Sequence, residues 1–388
     1  MVHHGTEDPV LALPAAMKRK ILFTVVAILM AALPLLGAAE IYCRFFAESG
    51  YITPAILKDQ SLQYVPSPLS KPIFPERVLQ AKGWKRAIYR INSHGYRGDE
   101  FSPTKPSGTV RIMIYGGSAV FDLSAGEGQH WPALVEDELK RRGITGAEVI
   151  NAGIPNHASW DAVGRLLGEG HRFDPDYTLL YAAWNDIKYF RSDAALLRTY
   201  AIGDVPFNPH LDYYNGMDRW LCETLQSYVR LRSRILKLNL RIGTEGIIPQ
   251  AEPAGVLTES ALQQYRLNVA VFADLALNIG AHPVLMTQAR LPTAESSPEQ
   301  RERIGYRWVG LDHETLVQAY AATDDALRQV AAAKGVDLID ASASMTGKDA
   351  NFRDHVHLAP EGSRRLAEIT ADRLAAIIMA SQEKTDVQ

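Results

Sequence analysis

Beyond residue 109 the chain alternates short apolar runs with longer stretches in which apolar residues recur every three or four positions. The runs Val110 to Tyr115, Glu148 to Asn151, Tyr177 to Ala183, Pro283 to Met286 and Val336 to Ile339 have the character of strands buried on both faces. Helical patterns follow over Pro132 to Arg142, Trp160 to Gly168, Glu259 to Ile279, Glu314 to Lys334 and Pro360 to Ala380. A helix after each strand predicts an α/β domain with a parallel sheet covered on both faces. The stretch Tyr189 to Pro253 breaks this alternation with aromatics (Tyr200, Phe207, Tyr213, Tyr214, Trp220) and a basic helical run, Ser227 to Arg241. It reads as an insertion over the C-terminal edge of the sheet, its aromatics either walling a cleft or packing on the domain.

Nearer the start, Ile21 through Ala39 is a 19-residue run without a charge, preceded by Lys18, Arg19 and Lys20. At about 28 Å of helix it is long enough for the hydrocarbon core. The basic cluster predicts that residues 1–20 stay cytoplasmic, that 21–39 form an inner-membrane anchor, and that the remainder is periplasmic or extracellular. Gly37-Ala38-Ala39 supports a competing reading, a cleaved signal peptide. Run length and the continuing apolar residues Ile41, Tyr42, Phe45 and Phe46 favour the anchor. Residues 40–109, rich in proline, are expected to be an extended lead-in packed on a main domain over 110–380, with the insertion at 189–253 and a short tail at 381–388.

Composition narrows the function classes. The 388 residues carry 41 Lys and Arg against 44 Asp and Glu, a net charge of −3, and 47% are apolar. A disordered chain is excluded, and a dedicated nucleic-acid binder is disfavoured. The two cysteines, Cys43 and Cys222, have no CxxC spacing and read as free thiols. A bridge between them is the disfavoured alternative, because Cys43 lies beside the membrane segment. Glu40, Ile41 and Tyr42 before it also make it a poor lipidation site.

In an open α/β sheet, reactive residues gather where strands exit. The first strand here leads into Gly116-Gly117-Ser118, the second ends in Asn151-Ala152-Gly153, the third leads to Trp184-Asn185-Asp186, and Asp354-His355-Val356-His357 precedes the last helix. Serine is a weak nucleophile that needs a base, a group orienting the base, and donors for the developing oxyanion. Ser118 sits after two glycines at a strand-to-helix turn, His357 is the candidate base, and Asp354 is its orienting carboxylate. The expected oxyanion donors are the Ser118 and Gly153 amides and the Asn185 side chain. Asp186 is expected to hold the loop that carries Asn185. His355 with His357 has a His-x-His spacing, but no further cluster is tied to it, so no metal or cofactor is expected. Lys140-Arg141-Arg142 reads as a helix C-terminus complementing its dipole.

With these blocks in order, roughly Val110 to Ala380 resembles the SGNH (GDSL-type) esterases and acyltransferases. The resemblance rests on Tyr115-Gly116-Gly117-Ser118, Asn151-Ala152-Gly153, Ala183-Trp184-Asn185-Asp186 and Asp354-His355-Val356-His357. It implies a flavodoxin-like three-layer α/β/α sandwich, a Ser118, His357, Asp354 triad, and oxyanion contacts from Ser118, Gly153 and Asn185. Two positions depart from the family pattern: Gly117 stands for the aspartate of Gly-Asp-Ser, and Ala183 for the glycine of Gly-x-Asn-Asp. Ile91-Asn92-Ser93-His94-Gly95-Tyr96-Arg97-Gly98 is similar to a segment preceding the core in membrane-anchored bacterial members, and is expected to add no chemistry. The function expected is removal of acyl groups, acetyl foremost, from a cell-envelope carbohydrate. The alternatives are an O-acetyltransferase acting on an exported polysaccharide, lipid ester hydrolysis, and a non-catalytic envelope scaffold or glycan-binding protein. The expected partners are the acylated substrate and the membrane, with no nucleic acid.

Overall fold

The computed structural model describes residues 15–45, 79–80, 88–90, 92–155, 157–190, 214–242 and 255–386. Helix α1 (Ala15–Phe45) and an antiparallel pair, β1 (Leu79–Gln80) with β2 (Ile88–Tyr89), come first. Then β3 (Val110–Gly116), α2 (Ser118–Phe121), α3 (Trp131–Arg141), β4 (Ala147–Gly153), α4 (Ser159–Gly168), β5 (Tyr177–Tyr181) and α5 (Trp184–Ile187) follow. The insertion contributes α6 (Gly216–Thr224) and α7 (Gln226–Ile242). The chain continues through α8 (Glu259–Asn278), β6 (His282–Met286), α9 (Pro298–Glu302), α10 (Tyr306–Val309), α11 (His313–Lys334), β7 (Asp337–Ile339), α12 (Ala341–Met345) and α13 (Pro360–Asp386).

The five-stranded sheet has the order β4-β3-β5-β6-β7, every pairing parallel. Counted from the first strand of the sheet this is 2-1-3-4-5, the flavodoxin-like doubly wound arrangement. Side chains alternate between the two faces along each strand. Ile112, Ile114, Leu179, Val284 and Met286 pack with Trp131, Val135 and Leu139 of α3 and Leu366 and Leu374 of α13. Met113, Tyr115, Leu180 and Leu285 pack on the opposite face with Leu166 of α4, Tyr265 and Phe272 of α8, and Leu316 and Tyr320 of α11. Both faces are thus dry, which explains why the strands read as nearly continuous apolar runs.

The expected elements and the observed ones differ chiefly at their ends. In the sheet register Gly116 stands level with both Gly153 and Tyr181. Strand β4 therefore runs on to Gly153, while Ala182 and Ala183 leave the sheet to enter α5. Strand β7 is shorter than expected, and α13 continues past Ala380 to Asp386. Helix α11 shows how local chemistry sets an end: Asp312 accepts the Thr315 amide at 2.8 Å, and Gly335 closes the helix at φ +63°.

Of the insertion's aromatics, Tyr200, Phe207 and Tyr213 lie outside the described residues, and Tyr214 and Trp220 are exposed. Helices α6 and α7 are joined by a buried pair in which Arg232 donates to both Asp218 oxygens at 2.9 Å, Tyr228 adding a bond of 2.8 Å. Near the end of α1, Glu40 accepts from the first amides of α7, Gln226 and Ser227, each at 2.9 Å, and from the Ser227 hydroxyl at 2.6 Å. Among the described residues no helix is long and apolar enough to cross a membrane, and the side chains of Ile21, Leu22, Val25, Ile28 and Leu29 in the run Ile21–Ala39 fall outside them. Both cysteines are free thiols, so the disfavoured bridge is not formed.

The N-terminal edge of the sheet is fixed by Arg111, which is fully buried. It donates to Glu148 at 2.5 Å and to the carbonyls of Ser102 (2.7 Å), Pro103 (3.3 Å) and Phe173 (2.5 Å), with its guanidinium 5.4 Å from the Phe101 ring centroid. One side chain thus ties the lead-in to β3, β4 and the turn before β5. Arg111→Ala leaves these carbonyls without their buried donor and is expected to destabilise the domain by about 3 kcal/mol or more. Urea denaturation followed by tryptophan fluorescence measures this directly.

Candidate active site

Strand β3 delivers Ser118 to the first position of α2, where its amide has no acceptor within the helix. Two glycines make the turn possible. At Gly116, with φ +158°, a Cβ would lie 2.2 Å from the Tyr181 carbonyl oxygen, so the chain can cross β5 closely only without a side chain. At Gly117 a Cβ would lie 2.4 Å from the Asn185 amide nitrogen and 2.8 Å from the His157 carbonyl oxygen. The space an aspartate would need here is occupied by Asn185, which gives the Gly117 departure a physical reason.

The loop before α13 brings the base across. His357 Nε2 lies 2.8 Å from Ser118 Oγ, and Nδ1 lies 2.7 Å from Asp354 Oδ2. Asp354 Oδ1 accepts the backbone amides of Val356 at 3.0 Å and His357 at 2.9 Å. Burial pushes the Asp354 carboxyl up, but the hydrogen bond and charge of His357 outweigh it and hold the group well below the usual carboxylate range. An ionised Asp354 assigns the ring tautomer: Nδ1–H donates to the carboxylate, leaving Nε2 to accept from the Ser118 hydroxyl. The turn itself is held by the Arg353 amide on the His357 carbonyl (2.8 Å) and the Leu291 amide on the His355 carbonyl (2.9 Å).

Asn185 lies on α5 with its Nδ2 donating to the His157 carbonyl at 2.9 Å, so one amide hydrogen positions the group and the other remains for a ligand. Ala183 sits at the start of α5 with its methyl in the core. Asp186 accepts the Ser159 amide at 3.1 Å and hydroxyl at 2.5 Å, fastening α5 to the start of α4, where Asp161 accepts the Ala158 amide at 2.8 Å. Burial pushes Asp186 up to about 6 and Asp161 up to about 7.

Gly153 is a correction. Its amide donates to Asn151 Oδ1 at 3.0 Å and is not free to meet an oxyanion. A Cβ at this position would lie 2.3 Å from the Phe121 amide nitrogen, so the glycine provides clearance for α2 against β4. Asn151 completes the fit by donating to the Val120 carbonyl at 3.1 Å. Of the expected oxyanion donors, the Ser118 amide and Asn185 remain.

His355 packs 3.8 Å from the Trp184 ring centroid, and burial, with the charge of His357, pushes it down to about 4. It is a neutral wall of the site. Asp354, His355 and His357 place ligand-type atoms within 4.8 Å of one another, the one grouping among the described residues that could share a metal ion. Both nitrogens of His357 are already engaged by Asp354 and Ser118, so a metal there would break the hydrogen-bond chain. Sequence reasoning also passed over Arg97 and Asp122, buried beside α2.

The fold and the site together define a doubly wound α/β protein with a serine–histidine–aspartate chain at the topological switch point of its sheet. No family model and no curated protein matches this chain. Among solved structures it is similar to an acetyl xylan esterase, AlAXEase, at 15% identity and a TM-score of 0.41, covering 68% of this chain and 99% of that one. It is also similar to the native aryl esterase of M. smegmatis, at 12% identity and a TM-score of 0.41, covering 69% and 98%. A catalytic mutant of the acetylxylan esterase Axe2 from Geobacillus stearothermophilus matches at 14% identity and a TM-score of 0.39, covering 69% and 94%. Likeness at this level carries no argument about activity, which rests on the site's own geometry.

Two outcomes are expected. Gly117→Ala drives a methyl into the Asn185 amide and should lower acyl transfer at Ser118 about 10²-fold, as loss of an oxyanion donor does; initial rates on a nitrophenyl ester measure it. Asp161, raised in the folded state, keeps a proton there that the unfolded chain releases above about pH 4. Its contribution to stability is therefore lost as pH rises toward about 7. Asp161→Asn should flatten the fall in stability between pH 5 and pH 8, read from urea denaturation at the two values.

Proposed function

We propose that this protein is a membrane-anchored serine esterase of the SGNH type that removes acyl groups, acetyl foremost, from a cell-envelope carbohydrate. The observation that carries the reading is the continuous chain Ser118 Oγ, His357, Asp354, with bonds of 2.8 and 2.7 Å. Its tautomer is the one that takes a proton from serine. Oγ attacks the ester carbonyl carbon as His357 Nε2 accepts the hydroxyl proton, and the oxyanion accepts from the Ser118 amide and Asn185. Collapse breaks the carbon–oxygen bond to the leaving alcohol, which receives the proton from His357 and leaves acyl-Ser118. Water, deprotonated by the same nitrogen, then releases the carboxylic acid and restores the serine.

The envelope location is supported by the Lys18-Arg19-Lys20 cluster before the uncharged run Ile21–Ala39 and by the helix, α1, that spans it. The carbohydrate substrate follows from that location and from the SGNH resemblance. Transfer of the acyl group to a sugar hydroxyl would use the same acyl-enzyme, and the products separate the two: free acetate for hydrolysis, an acetylated glycan for transfer. The unbroken hydrogen-bond chain weighs against the inert-scaffold alternative.

Ser118→Ala in the detergent-extracted full chain should abolish both nitrophenyl acetate turnover and labelling by a fluorophosphonate. Asp354→Asn should lower turnover by about 10³- to 10⁴-fold by removing the anion that fixes the tautomer. Turnover retained in Ser118→Ala overturns the nucleophile, and a folded parent that neither labels nor turns over overturns the esterase.

A further inference from the structure

Ser118 and His357 approach each other from segments with no covalent reason to stay close, and the structure contains a strut between them. Asp122, the residue that ends α2, is buried and adopts φ +59°, ψ +65°, the left-handed region that favours glycine. Among the described residues Asp174 is the only other non-glycine residue with positive φ. The backbone energy stored at Asp122 accompanies a specific set of contacts. Its amide donates to the Ser118 carbonyl at 2.9 Å. Its Oδ2 accepts the Trp131 amide at 3.0 Å, at the start of α3, and the Ser363 hydroxyl at 2.7 Å, in the first turn of α13. Ser363 in turn donates its amide to the Ala359 carbonyl at 2.9 Å, two residues beyond His357.

These contacts close a ring: Ser118 to Asp122 through the backbone, Asp122 to Ser363 through the carboxylate, Ser363 to Ala359 and along the chain to His357, and His357 back to Ser118 Oγ. Arg97 holds the ring from outside. Its guanidinium donates to the carbonyls of Phe121, of Asp122 at 2.7 Å and of Ala125 at 2.8 Å. The segment around Arg97, which the sequence suggested was chemically idle, thereby grips the turn that follows the nucleophile.

We infer that Asp122 is a positioning residue: its carboxylate, bonded to Ser363 and Trp131, sets the separation of Ser118 from His357. This rests on the esterase reading for its kinetic consequence and on geometry alone for its structural one. A glycine at this position relieves the left-handed backbone, which offsets part of the cost of leaving the Trp131 amide and the Ser363 hydroxyl without their buried acceptor, and it forms no strut, so activity read well below the melting temperature of Asp122→Gly separates positioning from folding.

The test uses the full chain in detergent, with nitrophenyl acetate turnover, fluorophosphonate labelling rate and thermal unfolding read together. In Asp122→Gly, assayed well below its melting temperature, kcat and the labelling rate should each fall at least about tenfold while KM stays within about twofold. Ser363→Ala should show a kcat loss of the same kind, and the double variant should be no worse than the poorer single one, because both remove one interaction. Asp122→Asn, which keeps an acceptor oxygen, should restore most of the rate. Parental kcat in Asp122→Gly, losses that add in the double variant, or a loss that only tracks a lower melting temperature would each overturn the inference. If the parent itself is inert, the esterase reading fails, and crystal structures of the parent and Asp122→Gly decide the strut. A Ser118–His357 hydrogen bond present in the parent and broken in the variant supports it, and one present in both overturns it.

Discussion

A single contact of 2.8 Å, between side chains 239 positions apart in the chain, is the constraint the catalytic end is built around. A hydrogen bond of this length tolerates only a few tenths of an ångström before its geometry degrades. Both ends must therefore be held by structure more rigid than a loop. For Ser118 that structure is the sheet, where Gly116 stands level with Gly153 and Tyr181. Helix α2 then starts flush against its neighbours. Such crowding leaves no room for β-carbons, which is why clearance is needed at Gly116, Gly117 and Gly153 alike. For His357 the structure is the turn gathered by Asp354, together with the first turn of α13.

Electrostatics follow from the same crowding. Burial raises Asp161 and Asp186 and lowers His355, so those groups tend toward neutrality around the site. Asp354 alone goes the other way, because His357 and two backbone amides stabilise its charge. The site therefore concentrates its one firmly held negative charge where an imidazolium forms during proton transfer. A neutral His355 beside it also matters, since a second cation there would disfavour an imidazolium at His357.

The alternation of strands and helices was legible because both faces of the sheet are dry, and the exits of β3 and β5 could be located because the first apolar run ends at Gly116-Gly117-Ser118 and the other gives way to Asn185-Asp186. Ser118, Asn185, Asp354 and His357 were therefore visible as residue types at the right places. What the sequence does not encode locally is the direction of an amide or the sign of φ. Gly153 looked like an oxyanion donor, yet the Asn151 side chain two residues earlier takes its N–H. Asp122 belongs to no motif, and its role depends on a left-handed backbone and on Ser363, 241 positions away. Arg97 was passed over because its partners are carbonyls, which every residue possesses and no motif records.

The chemistry needs only the sheet edge and the loop before α13, so what the enzyme acts on must be decided by the segments around that edge. The insertion is not tethered through the chain alone. Glu40 of α1 accepts from the amides of Gln226 and Ser227, filling the role of an N-cap for α7 from a distant part of the sequence. Buried Asp218 and Arg232 then carry that attachment from α7 to α6. The helix bearing the long apolar run is thus bonded directly to the insertion. Helices α6 and α7 are therefore placed by α1 as well as by the chain on either side of them, so that wherever α1 is fixed the insertion is fixed with it.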